Sequence, residues 1–354
     1  MNDLYILYFT LAGKDDRAGG LVKIGFFSVH LLFFLNSFKI RKSMDRRSFI
    51  RHTGLGAAAW SLANPLSATD FLEDRKFRIS LKPDAIGVNM PIDELLPLAQ
   101  KIGFEAVAVS SDWLLQMPEV QLSNLQSRMS DLGLTYGSAG MPLQFRETEK
   151  RFKNDLAALG KHAVVMRKAG ITRVGTWIMP SHNELTYEEN MDLHISRLRQ
   201  AAKIYADNGI RLGLEYVGPK TLHDAARYGF IRTGRQLKRM IEEIDVAGVG
   251  VILDSFHWYT SGETAEHLKI WRNEDIVAVD LNDADKRLSK ETQIDGNREL
   301  PGATGMIDLM TFVGYLKAVG YDGPVRAEPF NETLNAMDDQ LAAQATYDSI
   351  SRSI

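Results

Sequence analysis

From Ile79 onward, short β-branched runs alternate with longer segments of helical period, and this rhythm restricts the chain to very few folds. The runs fall at residues 85–89, 106–110, 135–139, 173–178, 211–216, 249–253, 276–281 and 325–328. Helical periodicity fills 92–102, 121–132, 149–169, 187–208, 234–244 and 308–319. Several helical segments run into glycine (Gly103, Gly133, Gly170, Gly209, Gly320), as helix C-termini commonly do. Eight strands each followed by a helix, with no Gly/Ser-rich linker, predict an α/β fold: a single-domain (β/α)8 TIM barrel. A doubly wound sheet would show a glycine-rich turn after its first strand, whereas Asn89-Met90-Pro91 stands there.

The charge is unevenly spread. Residues 1–69 hold 9 Lys/Arg against 4 Asp/Glu, so within a chain of formal charge −3 the remaining 285 residues carry −8. From Met44 the chain reads Asp45-Arg46-Arg47-Ser48-Phe49-Ile50-Arg51. A small, uncharged run over 54–60 follows, then Asn64-Pro65-Leu66-Ser67-Ala68. Residues 44–69 resemble a twin-arginine export signal cleaved after Ala68, which implies a periplasmic protein. Residues 1–43 read as an N-terminal extension from a start placed too early. Their apolar stretch, 24–38, is shorter than the roughly 20 residues that span a bilayer and contains His30 and Asn36. The barrel is expected over 70–354, with no stable membrane anchor in the mature protein.

The absence of cysteine excludes disulfides, thiolate metal sites and a cysteine nucleophile. An acidic body argues against a nucleic-acid partner. A small-molecule substrate is expected, and the oligomeric state is left open.

In a barrel of this kind chemistry sits at the C-terminal ends of the strands. Four successive strands each deliver a carboxylate there: Glu215, Asp254, Asp280 and Glu328. One such residue alone reads as a solvated loop acid. Four behind apolar runs, converging on one mouth, repel one another unless a cation sits among them. A divalent metal with oxygen ligands resolves the conflict.

The stretches Leu214-Glu215-Tyr216-Val217-Gly218-Pro219-Lys220, Leu253-Asp254-Ser255-Phe256-His257-Trp258-Tyr259, Glu299-Leu300-Pro301-Gly302 and Gly320-Tyr321-Asp322-Gly323-Pro324 to Glu328-Pro329-Phe330 resemble the sugar phosphate isomerase/epimerase superfamily. These are the xylose isomerase-like barrels, and the resemblance covers residues 80–335. It implies Glu215, Asp254 and Glu328 as metal ligands, Glu215 and Glu328 as the pair that moves the proton, and His257 as a contact for substrate hydroxyls. Most relatives place a histidine where this chain has Asp280. An all-carboxylate set is harder, favouring Mn2+ or Mg2+ over Zn2+ or Co2+ for the single ion.

The implied activity is isomerisation or epimerisation of a keto-sugar or related polyol ketone. A metal stabilises the enediolate, while the two glutamates remove and return the proton. Trp258 is expected to stack on the sugar, and Lys286 and Arg298 to hold its polar tail. His182, Glu184, Trp113 and Trp177 are weaker candidates, and His162 and His194 read as packing residues. The alternatives are a lyase or dehydratase acting on a 3-keto-sugar or inosose through the same enolate, an endonuclease for abasic DNA, and a non-catalytic sugar-binding barrel.

Overall fold

The computed structural model describes residues 75–354. The export signal and the extension before it lie outside the described residues. Nine parallel strands curl into one sheet: Arg78–Leu81, Ala106–Val107, Thr135–Tyr136, Ala139–Gly140, Arg173–Ile178, Arg211–Tyr216, Val249–Asp254, Ile276–Asp280 and Pro324–Arg326. The third barrel strand is interrupted at Gly137-Ser138. Its first half pairs with Ala106–Val107 and its second with Arg173–Ile178, so nine strands complete an eight-fold ring. The first and last strands pair in parallel, Ile79 beside Val325.

The first strand corrects the expectation. It is Arg78–Leu81, and residues 85–89 instead contain the end of a 3-10 turn, Pro83–Ile86, closed by Gly87. Pro83 fixes the φ that a helical turn needs, and Gly87 adopts φ 74°, which a side chain at that position would resist. Ala85 and Ile86 are buried as members of that turn, so their apolar character reflects packing. Lys82 is thereby left at the strand's C-terminal end.

The six expected helices are present: Ile92–Ile102, Glu119–Asp131, Glu149–Ala169, Tyr187–Asp207, Gly234–Ile244 and Leu309–Ala318. Thr148 accepts a hydrogen bond from the Arg151 amide, while Thr186 with Glu189 and Thr233 with Gln236 form capping boxes. Two further helices carry weight. Asp339–Ser353 closes the outer ring against the first strand's side, where Phe104 meets Tyr347 edge-on at 5.2 Å. Ser255–Thr260 follows the sixth barrel strand directly and carries His257. No helix among the described residues is long and apolar enough to cross a membrane.

Gly175 and Gly213 face each other across adjacent strands because the Ile252 side chain fills the barrel axis there. A Cβ on Gly175 would lie 2.4 Å from Ile252 Cδ1. Ile252 thus floors the cavity that opens at the strand ends.

Candidate active site

Sheet register assembles the centre. Asp254, Asp280 and Arg326 are Cα neighbours on three adjacent strands, and residues directly opposite in a sheet point to the same face. Glu328 lies two residues beyond Arg326 along the chain. One oxygen from each of Glu215, Asp254, Asp280 and Glu328 falls within 4.8 Å of the others, and all four residues are buried. Glu215 and Glu328 line a cavity of about 560 Å3, with Asp254 and Asp280 buried behind them.

Three cations share this centre. Arg326 holds Asp280 with two parallel bonds, Nε donating to one carboxylate oxygen at 2.5 Å and Nη2 to the other at 3.0 Å. Arg298, 2% exposed, donates to Asp254 Oδ2 at 2.9 Å and to Asp295 Oδ1 at 2.8 Å. Lys82 donates to Glu328 Oε1. Asp254 Oδ1 accepts from the Phe256 amide at 2.6 Å, so this carboxylate also caps the helix that carries His257. Asn282 ties the strands together, donating to Asp254 Oδ2 and accepting from the Glu328 amide.

Glu215 is the exception. Its Oε1 is buried with no hydrogen-bond partner among the described residues. Burial first, and then the neighbouring Glu328, Asp254 and Asp280 charges, lift its carboxyl well above the usual range. Glu328 goes the other way. Burial would raise it, but Lys82, Arg298 and Arg326 outweigh that effect and bring it down to about 2. Burial, reinforced by Arg298, lowers His257 to about 4, so its ring is neutral near pH 7. The Gly218 amide donates to its Nδ1 at 3.3 Å, while Nε2 lies 3.4 Å from Arg298 Nη2 and 3.8 Å from Glu215 Oε1.

A divalent ion fits part of this donor set. The orphaned Glu215 Oε1 needs a partner, and among the described residues Glu328 Oε2 has no ion pair closer than the 3.8 Å to Arg298. Asp254 and His257 lie alongside. Asp280 belongs to the same cluster, and each of its oxygens already accepts one hydrogen bond from Arg326.

Of the other expected residues, Arg298 and His257 line the cavity, whereas Trp258 and Lys286 do not. Trp258 packs 5.6 Å from Phe312, and its indole N–H donates to the Thr264 carbonyl. Consecutive residues on a helix point about 100° apart, so His257 facing the cavity turns Trp258 into the core. Lys286 is exposed beyond the buried Asp285. Trp177, 41% exposed, does line the wall, while Trp113 lies elsewhere. His182 Nδ1 accepts from the Glu184 and Leu185 amides and shapes its own loop. His162 and His194 are buried in helices, as packing residues would be.

Sequence reasoning missed Lys82, Arg146, Asp295 and Arg326, all on the cavity wall. Arg326 could have been found: it precedes Glu328 by two, the spacing that puts two strand residues on one face.

An α/β barrel with buried carboxylates gathered at the C-terminal ends of its strands defines the class. The chain belongs to the xylose isomerase-like TIM barrel family, whose model matches residues 96–350. An inosose isomerase of Bacillus subtilis (strain 168) is 26% identical over 187 residues, 52% of this chain and 64% of that protein. The chain therefore matches somewhat less than two thirds of that relative's length. A xylose isomerase domain protein from Alicyclobacillus acidocaldarius superposes with a TM-score of 0.69 at 31% identity, covering 78% of this chain and 98% of the other. The IOLI protein with a bound zinc atom superposes at 0.66 with 18% identity, over 78% of this chain and 98% of its own.

Proposed function

We propose that this chain is an isomerase or epimerase of a keto-sugar or related polyol ketone, acting by proton transfer at the carbon beside the carbonyl. One observation carries the reading: two glutamates meet at one point in opposite electrostatic environments. Glu328, paired with Lys82, is ionised and serves as the base. Glu215, whose burial disfavours its charged form, returns the proton, one of its oxygens remaining free for this when the other meets an ion. Groups whose surroundings drive their protonation states apart are suited to that division of labour. The inosose isomerase relative supports the substrate class.

Glu215, Asp254 and Glu328 would hold one divalent ion, with His257 beside them. Such an ion would withdraw charge from the substrate carbonyl and so acidify the neighbouring C–H. That a neighbour of the same fold binds zinc is consistent with a metal in this chain. Mainly carboxylate donors favour manganese or magnesium here. Asp280 acts instead as the anchor of Arg326, holding a guanidinium at the cavity wall. His257 presents its neutral ring to a substrate hydroxyl, and Arg298 orients Asp254.

Residues 44–69 export the folded enzyme to the periplasm, where unphosphorylated sugars are the accessible substrates. Incubating keto-sugars with the protein in deuterated water tests the proposal: label should enter the carbon next to the carbonyl. Release of an aglycone or of water instead would indicate the lyase route through the same carbanion.

A further inference from the structure

Four cationic side chains line the cavity: Lys82, Arg146, Arg298 and Arg326. Three are ion-paired, to Glu328, Asp254 and Asp280. Arg146 is not; among the described residues no carboxylate makes an ion pair with it. Its Nη1 donates to the Trp177 carbonyl at 2.7 Å and to Thr176 Oγ1 at 3.3 Å. Those two bonds use both Nη1 protons, and no acceptor within the described chain engages Nε or Nη2. The guanidinium is clamped between two aromatic rings, 3.9 Å from the Trp177 centroid and 4.4 Å from that of Phe145. Burial lowers its pKa only to about 10, so it stays charged at neutral pH.

The position is informative. Trp177 is the Cα neighbour of Glu215 on the adjoining strand, so Arg146 sits along the same wall as the unpartnered acid. A half-buried guanidinium with unspent donors is costly to maintain without a partner. Its aromatic clamp fixes the plane before any ligand arrives, and the remaining Nε and Nη2 protons form one edge of a planar fork. That edge matches the two oxygens of a carboxylate. A phosphate dianion would call for a second free cation, and the other three are already paired.

We infer that Arg146 forms a carboxylate subsite on the cavity wall, so that the molecule acted on is a hydroxylated keto acid and not a neutral ketose. The inference rests on the proton-transfer reading of the site for its ketone. It deepens that reading by naming the charge at the far end of the substrate.

Calorimetric titration of the purified protein tests this with two pairs of probes that differ only in a terminal carboxylate: D-fructuronate against D-fructose and D-tagaturonate against D-tagatose. The expected result is at least tenfold tighter binding of the acid in one pair. Arg146→Gln should bring the ratio of the two affinities to about one. Arg146→Lys, which keeps the charge and loses the fork, should leave an intermediate ratio. Absence of acid preference in both pairs, or a preference unchanged in Arg146→Gln, overturns the subsite. Solvent-deuterium exchange, run alongside, separates the two ideas. Arg146-dependent preference without exchange would retain the subsite and overturn proton transfer. Exchange without preference would do the reverse.

Discussion

Asp280 and Arg326 are joined through both carboxylate oxygens and two guanidinium nitrogens, at 2.5 and 3.0 Å, on adjacent strands of the barrel. Asp280 is fully buried and Arg326 is 6% exposed. This pair sits where most relatives are expected to carry a metal-binding histidine, and it gives the position a structural role. Removing one partner of a buried pair leaves the other charge uncompensated, typically costing about 3–5 kcal/mol. Asp280→Ala should therefore destabilise the protein by about that amount in chemical denaturation. Asp280→Leu combined with Arg326→Met should recover most of the loss. A double-mutant cycle that shows no coupling would contradict the pairing.

Metal content follows from the remaining donors. Protein purified from manganese- or magnesium-supplemented medium should hold about one divalent ion per chain by elemental analysis. Asp254→Asn should lower that content severalfold, and Asp280→Asn should lower it far less. Equal loss in both variants would return Asp280 to the ligand set.

The Lys82–Glu328 contact makes a pH prediction. The Glu328 pKa is depressed in the fold to about 2. Its contribution to stability is thus fully present above the ordinary glutamate value near 4.3 and is lost as the pH falls towards 2. Lys82→Met removes the partner, so wild type should exceed the variant in stability at pH 6, with the gap narrowing below pH 4. Unfolding curves across pH 2–7 check it, and a gap that widens on acidification would be inconsistent with the pairing.

Export should depend on Arg46 and Arg47. With both changed to lysine, the protein should stay in the cytoplasm with its leader uncut, as fractionation and the mass of the purified chain would show. Normal periplasmic delivery of that variant would remove the basis for an export signal at 44–69.

The barrel was legible because its signals are local and repeated: strand runs, helical periods and glycine stops recur around the ring. The misplaced first strand shows where such signals fail, since Ala85 and Ile86 are apolar for packing reasons while Pro83 and Gly87 impose a turn. The acidic centre was legible for a similar reason, each carboxylate standing at the end of its own strand. Its cations were legible only in part: Arg298 was expected at the cavity, but its bond to Asp254 was not, nor were Lys82 and Arg326. Lys82 and Arg298 reach the centre across 246 and 44 residues of sequence, and only closure of the ring brings them to Glu328 and Asp254. Asp280 read as a metal donor alone, because the guanidinium that pairs with it lay on the next strand. Trp258 was misjudged for want of a local helix, which turns it away from the cavity beside His257.

The central claim is that Glu328 and Glu215 exchange a proton with the carbon next to a substrate carbonyl. Deuterium incorporation at that carbon, followed by NMR with a panel of keto-sugars and keto acids, tests it most directly. Wild type should label at least one compound. Glu328→Gln and Glu215→Gln should each slow labelling by about 10²–10⁴-fold, the usual worth of a general base or acid, while both variants remain folded. Labelling at the wild-type rate in either variant, or none with any compound by wild-type protein loaded with metal, would contradict the account.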